Sequence, residues 1–574
     1  MHDADHGRLN EAIAMVRMRQ RMKPKDPEAT ELLGLLLFRA NEVDQAIHFL
    51  QRGVELLPNE PVHRHNLANV LDRVGRTQEA IRLWEDCLRI NPEFVLAWMG
   101  LATACQSIDD AARSIEAGER GLALAPGWVD MVRNHSNTLA RVGRVEDAAA
   151  LLRAHLTAHP HEAELRSNLL MNLHYRGLDG ATMLAEHRAF GAALPAPAPP
   201  PPTPLDGRRL RIGILSGDLR GHSVASFADA IIRHAPSDTE LVAFSTAAPG
   251  QSDGITDALK PCFSKWLDVA GLRGDAFDAC IRAERIDVLL ELSGHSSGGR
   301  LADLARKPAP VIVSAIGYPD STGLPAVDAR IVDAITDPAG AESRCTERLV
   351  RIEPCFLCYR PPENAPEPAM PPADAPITFG SFNNLQKIAP ETADAWARTL
   401  RSVPGSKLLL KSPGLGDPLV RRALLERLTA AGIPAEAIET VAFSKGRAEH
   451  LALYARVHVA LDTMPYNGTT TTCEALWMGV PVITTLGDHH AARVSASLLR
   501  AAGHPELVAA DTTEFARLAA SLASDTNRLS ALREGLRDTL RASPLLDART
   551  YANAVHTALR NLFQEGPGAS ARSR

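Results

Sequence analysis

A proline returns every 34 residues through the first third of the chain, and this period restricts the fold more than anything else in the sequence. The five positions are Pro24, Pro58, Pro92, Pro126 and Pro160. Because proline lacks an amide hydrogen and cannot continue a helix, each one predicts a helix end at the same point of a repeating unit. A period of 34 residues is typical of units with two antiparallel helices. Residues 1–160 are therefore predicted to form an α-helical repeat array.

A small residue also recurs within the units. Ala12, Ala46, Ala80 and Ala148 share one register, and Ser114 takes that place in the interval 93–126. A small side chain is needed where the two helices of a unit touch closely. Together with the closing proline, this residue completes the tetratricopeptide pattern, which predicts an α superhelix. Such arrays present a groove to their binding partners.

Three asparagines share one position on the predicted first helices of the units. They are Asn66, Asn134 and Asn168, and Leu32 and Gly100 interrupt the row. First helices line the groove of such arrays, and spaced amides could bind the backbone of an extended peptide. The other interpretation is that these side chains are only solvated. The sequence leaves both open.

The periodicity changes after the repeats. Residues 161–194 remain helical in pattern but lose the register, so they are predicted to cap the array. The proline-rich stretch 195–207 is predicted to be a stiff linker. The remaining predicted boundaries are a first α/β lobe at 208–360, a crossing at 361–376, a second lobe at 377–566 and a disordered tail at 567–574.

Strand patterns alternate with helix patterns in both lobes, which predicts two parallel sheets. In such sheets ligands bind beyond the carboxyl ends of the strands. Neither lobe has a Gly-x-Gly-x-x-Gly motif, so a dinucleotide cofactor is disfavoured. No cofactor is expected.

The stretch from Asp462 to Thr485 predicts an anion site. A buried strand ends at Asp462, the loop Pro465-Tyr-Asn-Gly follows, and four threonines lead into a helix. The first turn of a helix offers unpaired amide groups and a partial positive charge, and the threonine hydroxyls add donors. An ordinary capped helix is the alternative. Four successive threonines exceed what a cap needs, and Glu474, one turn inside, is placed to take two ribose hydroxyls.

Three further side chains follow predicted strands. His222 and His295 lie in Gly/Ser loops of the first lobe, and Lys387 follows the first strand of the second lobe. A histidine at a strand end is a candidate general base, and a lysine beside a phosphate site can neutralise a diphosphate leaving group. For each residue the alternative is an exposed side chain without a role.

Composition excludes several classes of function. The net charge is −6 without any basic block, which disfavours nucleic acid as a partner. No signal core or long apolar run is present, so no membrane partner is expected. The eight cysteines include one lone C-x-x-C, Cys355 and Cys358, so a zinc site is disfavoured and a cytoplasmic location is expected. The one Asp-x-Asp is Asp3-Ala-Asp5, so no metal site is predicted for a diphosphate.

The combination resembles the O-linked N-acetylglucosamine transferases, in which tetratricopeptide repeats precede a two-lobed glycosyltransferase. The matching stretches are LRIGILSGDLRGH, RKPAPVIVSAIGYPDSTG, SFNNLQKIAP, HLALYARVHVALDTMPYNGTTTTCEALWMGVPVITT, RVSASLL and SPLLDARTYANAV. The chain resembles a bacterial member of this family. The resemblance implies the GT-B fold, which consists of two Rossmann-like lobes. It also implies transfer of N-acetylglucosamine from UDP-N-acetylglucosamine to protein Ser or Thr hydroxyls, with inversion and without a metal.

The resemblance also implies roles for individual residues. His222 becomes the base or acceptor-side group and Lys387 the diphosphate contact. The implied donor-site residues are Asn384, Lys445, Arg447 and His450 for the nucleotide, Thr470 and Thr471 for the phosphates, Glu474 for the ribose, and Gly317, Tyr318 and Pro319 beside the sugar. Asn467, Gly468, Thr469 and His295 are also predicted to bind substrate. Peptide or protein acceptors are the expected partners of the repeat groove.

The chain departs from the animal pattern at four of its positions. Asn384 stands where Gln is usual, Gln386 where Tyr is usual, Thr469 where His is usual and Glu474 where Asp is usual. Transfer of fucose from GDP-fucose, or of glucose from UDP-glucose to Asn, therefore remains open within the family. A UDP-sugar epimerase is disfavoured because its small substrate needs no peptide groove. A repeat scaffold with a weak or inactive transferase is the remaining alternative.

Overall fold

The structure, a computed structural model, describes residues 2–566. The predicted disordered tail, 567–574, lies outside the described residues. The chain forms two compact units. One ends at His155 and also contains Gly416–Arg422, and the other contains Leu156–Leu415 and the residues from Ala423 onward.

The repeats are helical throughout. Their helices are α1 (His2–Met22), α2 (Pro27–Arg39), α3 (Val43–Leu56), α4 (Pro61–Arg73), α5 (Thr77–Ile90), α6 (Val95–Ser107), α7 (Ala111–Leu124), α8 (Val129–Arg141) and α9 (Val145–Ala158). Each of the five repeating prolines lies two residues beyond the end of a helix, after α1, α3, α5, α7 and α9. The predicted repeat is therefore confirmed.

Small residues allow the helices of one unit to touch. The side chain of Ala46 on α3 is fully buried, and a Cβ atom built on Gly34 of α2 would lie 3.1 Å from the Ala46 carbonyl oxygen. Ser114, in the alanine register, is buried and donates a hydrogen bond to the Ala102 carbonyl (2.9 Å). A serine is tolerated there because its hydroxyl finds a partner.

Residues 161–194, predicted to cap the array, contribute to the core of the first α/β lobe. They form α10 (Ala163–Leu173), a 3-10 turn at His174–Arg176 and α11 (Gly180–Ala192). Leu170 and Phe190 are buried in one cluster with residues of the first sheet. The periodicity of the sequence shows that these helices have an apolar face, but it does not show which part of the protein that face packs against.

The first lobe is a seven-stranded parallel sheet in the order β3-β2-β1-β4-β5-β6-β7. Its strands are β1 (Leu210–Ser216), β2 (Thr239–Ser245), β3 (Lys265–Asp268), β4 (Val288–Glu291), β5 (Val311–Ser314), β6 (Ala329–Val332) and β7 (Arg348–Arg351). Its helices are α12 (Ser223–Arg233), α13 (Gly254–Leu259), α14 (Gly274–Ala283) and α15 (Leu301–Leu304). Strand order reverses between β1 and β4, so the crevice for a ligand lies between their carboxyl ends.

The second lobe is a six-stranded parallel sheet in the order β10-β9-β8-β11-β12-β13. Its strands are β8 (Thr378–Ser381), β9 (Lys407–Lys411), β10 (Ile438–Val441), β11 (Val459–Leu461), β12 (Val482–Thr485) and β13 (Val508–Ala509). The helices that follow β8 are α16 (Pro390–Ser402), α17 (Pro418–Ala430), α18 (Arg447–Ala452), α19 (Thr470–Trp477), α20 (Val494–Ala501), α21 (Thr512–Ser524), α22 (Thr526–Ala542) and α23 (Ala548–Glu565). Here strand order reverses between β8 and β11. The prediction of two parallel α/β lobes is confirmed.

The last helix returns to the first lobe, although the sequence predicted 377–566 as one lobe. Helix α23 packs against α12, and the His556 ring donates from Nε2 to the carbonyl of Ile231 (2.9 Å). The apolar stripe of α23 includes Val555, Leu559 and Phe563, all buried. Within residues 2–566 none of the helices combines the length and the apolar character that crossing a bilayer requires.

Candidate active site

Asp462 organises the loop between β11 and α19. Its side chain is buried and accepts hydrogen bonds from the amides of Thr463 (2.8 Å) and Gly468 (2.7 Å) and from the hydroxyl of Thr484 (2.7 Å). Three donors on one carboxylate hold the loop folded back toward the strand end. From the sequence, Asp462 was predicted only as the end of a strand, although a charged residue after a buried apolar run indicates such a role.

The loop ends at the exposed N-terminus of α19. The first helical residue is Thr470, and its N-cap residue, Thr469, makes no side-chain capping bond. The first amides of the helix therefore have no intrahelical acceptor and face the crevice. The described residues offer the Thr469 and Thr470 hydroxyls no hydrogen-bond partner, whereas Thr471 donates to the Asn383 side-chain oxygen (2.8 Å). Thr472 is buried against Ser495.

Two residues predicted to bind substrate instead shape this loop. The Asn467 side chain is fully buried and donates to the Thr463 carbonyl (2.9 Å), and its role as a substrate contact stays a prediction. A Cβ atom on Gly468 would lie 2.7 Å from the hydroxyl oxygens of Thr471 and Thr472. Only glycine therefore lets the loop pass this close to the helix.

Lys387 reaches the same place from the loop after β8. Its ammonium donates to the Asn467 carbonyl (2.7 Å) and lies 3.9 Å from the centre of the Tyr466 ring. Burial lowers the pKa of Lys387 to about 8, while the Asp462 carboxylate acts in the opposite direction. The structure thus brings Lys387 and the threonine loop together, as the resemblance implied.

Glu474 lies one turn inside α19 and contacts the side chains of Arg447 and His450. Its carboxylate accepts from Arg447 Nη2 (3.3 Å) and from His450 Nε2 (3.0 Å), and only 6% of the residue is exposed. The bond from Nε2 leaves His450 Nδ1 as an acceptor, and this buried atom has no partner among the described residues. Glu474 and His450 therefore offer hydrogen-bond acceptors for the hydroxyl groups of a sugar and the amide groups of a nucleotide base.

Lys445 and Asn384 lie at the rim of this crevice. Both are exposed, and the Lys445 backbone amide donates to the Glu449 carboxylate. Asn384 caps the 3-10 turn Leu385–Lys387 by accepting from the Gln386 amide (3.3 Å). Its role as a nucleotide contact stays a prediction.

His222 lies at the carboxyl end of β1 in the first lobe and is 44% exposed at its side chain. It is the N-cap residue of α12, and its Nδ1 accepts from the Val224 amide (3.3 Å). The neutral ring therefore carries its proton on Nε2. The Asp218 carboxylate lies 3.6 Å from Nδ1 and is the acidic partner available if that nitrogen becomes protonated.

The structure leaves His295 without an accessible ring nitrogen of the kind that a substrate contact or a base needs. The residue is 3% exposed, and Nε2 donates to the Thr322 carbonyl (2.9 Å). Nδ1 then accepts from the Ser167 hydroxyl of α10 (2.8 Å). Burial holds the pKa of His295 well below its usual range. The sequence placed it in a Gly/Ser loop but could not show that α10 covers the loop.

Tyr318, expected beside the sugar, has its hydroxyl bound between two histidines. It donates to His187 Nε2 (2.7 Å), whose Nδ1 donates to the Met183 carbonyl (2.7 Å). It accepts from His174 Nε2 (2.9 Å). Tyr318 is thus a buried structural residue rather than an open sugar contact.

The neighbours of Tyr318 show the same close packing. A Cβ atom on Gly317 would lie 2.0 Å from the Leu292 carbonyl oxygen, and Pro319 is buried. Gly317 is required because two strand ends approach closely there.

Among the described residues, one group of three acidic, cysteine or histidine side chains lies close enough to share a metal ion. It consists of His174, His187 and Asp320. Their ligand atoms are within 4.8 Å of one another. Both histidine Nε2 atoms are, however, hydrogen-bonded to the Tyr318 hydroxyl, and burial lowers the pKa of His174 to about 3. The hydrogen bonds account for the cluster without a metal.

The asparagine row is only partly available to a peptide. Asn66 donates to Glu31 (2.5 Å) and Asn134 to Thr103 (3.0 Å), each on a preceding first helix of the array. Asn168 lies on α10 in the second unit, and its Nδ2 has no partner within the described residues. A shared position in the repeat does not give these three amides the same surroundings.

The sequence matches the profile of Glycosyl transferase family 41 at residues 199–359 and 369–555, and a tetratricopeptide repeat profile at 3–61 and 65–127. It is 37% identical over 365 residues to a protein of Arabidopsis thaliana named probable UDP-N-acetylglucosamine--peptide N-acetylglucosaminyltransferase SPINDLY. That alignment covers 62% of this chain and 40% of the relative. The chain thus spans about two fifths of the length of this curated relative.

A second Arabidopsis thaliana relative, named probable UDP-N-acetylglucosamine--peptide N-acetylglucosaminyltransferase SEC, is 29% identical over 358 residues, 60% of this chain and 36% of the relative. Among solved structures, a mutant of the O-GlcNAc transferase of Thermobaculum terrenum superposes with a TM-score of 0.81 and is 33% identical. The match covers 88% of this chain and 97% of that one. The chain therefore belongs to glycosyl transferase family 41.

Proposed function

We propose that this chain transfers N-acetylglucosamine from UDP-N-acetylglucosamine to Ser or Thr hydroxyls of proteins. The observation that carries the proposal is the convergence of the Lys387 ammonium and the uncapped N-terminus of α19 at the strand-order reversal of the second lobe. These groups are the donors that a diphosphate requires. Family membership and the names of the relatives support the sugar and the acceptor class.

In the proposed reaction, the acceptor oxygen forms a bond to the anomeric carbon as the bond from that carbon to the UDP oxygen breaks. The negative charge that develops on the diphosphate is stabilised by Lys387 and by the first amides of α19. The hydroxyl proton passes on the acceptor side to His222 of the first lobe or, where His222 only donates a hydrogen bond, to solvent water. Attack opposite the leaving group inverts the anomeric carbon. The lysine and the helix terminus supply the positive charge that a metal would otherwise provide.

Glu474 is the proposed ribose contact. A carboxylate can accept hydrogen bonds from both ribose hydroxyls, and this one already holds Arg447 and His450 beside the crevice. Binding of a nucleotide would exchange part of this ion-pair contact for hydroxyl contacts. Glu474 stands where the animal pattern has Asp. This difference leaves the carboxylate chemistry unchanged and lengthens the side chain by one methylene.

The test offers UDP-N-acetylglucosamine, UDP-glucose and GDP-fucose separately to a pool of unfolded Ser-, Thr- and Asn-containing peptides, with mass spectrometry as the readout. We expect N-acetylglucosamine on Ser or Thr, with equal yield in EDTA. Fucose on Ser or Thr, or glucose on Asn, would assign another family reaction to the same site. A yield lost in EDTA and restored by Mg²⁺ or Mn²⁺ would contradict the metal-independent mechanism.

The pKa of Lys387 predicts a basic limit to activity. The ammonium is charged below pH 8 and loses its proton above it, because burial lowers its pKa to about 8. Because kcat/KM reports the ionisation of the free enzyme, kcat/KM should be independent of pH below pH 8 and should fall about tenfold for each pH unit above it. The Lys387→Arg variant keeps its charge, so its profile should lack this limb. A limb that persists in that variant would assign it to another group.

Deletion of residues 1–160 tests the acceptor role of the repeats. We expect transfer to protein acceptors to fall below detection while UDP affinity stays within about threefold, because the donor residues lie in the second lobe. The cut falls between α9 and α10. A matched deletion to 194 should unfold the first lobe, since it removes the buried Leu170 and Phe190. Full transfer to proteins by the shorter deletion would show that the repeats are not the acceptor platform.

A further inference from the structure

The 3-10 turn after α10 contacts the loop that carries the donor site. The rings of Tyr175 and Tyr466 stack with their centres 5.8 Å apart and an angle of 17° between their planes. The His174 ring meets Tyr466 edge-on at 5.9 Å. A Cβ atom on Gly177 would lie 3.4 Å from Cγ of Pro465. The turn therefore contacts Tyr466, and Gly177, which follows the turn, lies beside Pro465.

The same tyrosine ring holds the lysine of the donor site. Lys387 Nζ lies 3.9 Å from the centre of the Tyr466 ring, which is within the range of a cation–π interaction. Within residues 2–566, the ammonium donates one hydrogen bond, to the carbonyl of Asn467, the residue next to Tyr466. A lysine side chain has four rotatable bonds, and it loses considerable freedom when it is held in one place. The position of the Tyr466 loop thus determines where this ammonium lies.

The turn itself is anchored in the first lobe. His174 donates to the Tyr318 hydroxyl (2.9 Å), and Tyr318 donates to His187 of α11 (2.7 Å). His174 and Tyr318 are both buried. A continuous series of contacts therefore runs from α11 through Tyr318, His174 and Tyr466 to Lys387.

We propose that Tyr175 is a positioning residue of the donor site, which holds the Tyr466 ring, and through it the Lys387 ammonium, where the diphosphate binds. The segment that joins the repeats to the catalytic lobes would then set the geometry of the charge that stabilises the leaving group. This inference rests on the proposed function, because it assumes that Lys387 contacts a nucleoside diphosphate. The competing explanation is that Tyr175 only contributes to the packing of the second unit.

A double-mutant cycle separates these explanations. UDP and GDP are titrated by calorimetry into the full chain and its Tyr175→Ala, Lys387→Ala and doubly substituted variants. We expect Lys387→Ala to weaken binding of the preferred nucleotide about 10- to 30-fold and Tyr175→Ala about 5- to 10-fold. In the Lys387→Ala background, Tyr175→Ala should change affinity by less than about twofold. An equal loss in both backgrounds would show that Tyr175 does not act through Lys387 and would overturn the proposal.

Two further variants keep the result interpretable. Tyr175→Phe retains the stacked ring and should bind within about twofold of wild type, and a loss equal to that of Tyr175→Ala would overturn the stacking role. If Tyr175→Ala does not fold, as judged by circular dichroism and thermal melting, Tyr175→Leu replaces it in the same cycle.

The cycle needs neither a sugar nor an acceptor, so it is separate from the transfer test. If the two substitutions are coupled in the cycle but no sugar transfer is detected, the proposed function is overturned and this inference is supported. An active transferase with an additive cycle would overturn only the inference. Binding of neither UDP nor GDP would overturn the diphosphate role of Lys387 and this inference with it.

Discussion

The Lys387→Ala variant should show kcat reduced by about 10²- to 10³-fold, the loss typical of removing one preorganised group that stabilises developing charge. The charge is needed most as UDP departs, so the effect on the transition state exceeds the effect on bound UDP. We expect UDP affinity to fall by only about 10- to 30-fold. Steady-state transfer and calorimetric binding of UDP on the same preparation measure the two effects.

Lys407→Ala is the matched control for this experiment. Lys407 begins β9 and is exposed at the opposite end of the same sheet, so its loss should leave kcat within about twofold. Thermal melting should place both variants close to wild type, since Lys387 makes one hydrogen bond to the protein through its side chain. Unchanged turnover in Lys387→Ala with UDP still bound would rule out the diphosphate role.

His222→Ala should lower kcat by about 10²- to 10⁴-fold, which is the range for a positioned proton-transfer group. UDP affinity should change by less than about threefold, because His222 lies in the first lobe, whereas the groups proposed to bind the phosphates lie in the second. His234→Ala is the control, since His234 lies at the other end of α12. Transfer rates that do not change would exclude His222 from the acceptor side.

The pH profile shows which of two roles His222 has. As long as Nδ1 accepts from the Val224 amide, the neutral ring presents Nε2–H and can only donate to the acceptor. A base role needs the proton on Nδ1, with Asp218 as its partner. An acidic limb of kcat/KM that disappears in His222→Ala, together with a large loss in Asp218→Asn, would indicate the base. A limb that persists, with Asp218→Asn nearly as active as wild type, would indicate a hydrogen-bond donor.

Local patterns in the sequence were sufficient for the repeats and for the two parallel sheets, although not for the packing of α10, α11 and α23 on the first lobe. Proline every 34 residues ends a helix wherever it occurs, because the missing amide hydrogen is a property of the residue itself. Runs of apolar residues between helical segments similarly specified buried parallel strands, and the carboxyl ends of β8 and β11 therefore carry Lys387 and the threonine loop to one edge. Each of these features depends on residues that are near one another in the chain.

The tertiary structure decided which polar side chains are free to act. His222 and His295 both follow strands in Gly/Ser loops, yet His222 is open and His295 is buried beneath α10, which donates the Ser167 hydroxyl to it. Tyr318 likewise has its hydroxyl bound by His174 and His187, which lie more than 100 residues earlier. Burial and hydrogen bonding depend on segments distant in sequence, so residue type and spacing determined where the candidate groups lie, and only packing determined which of them remain accessible.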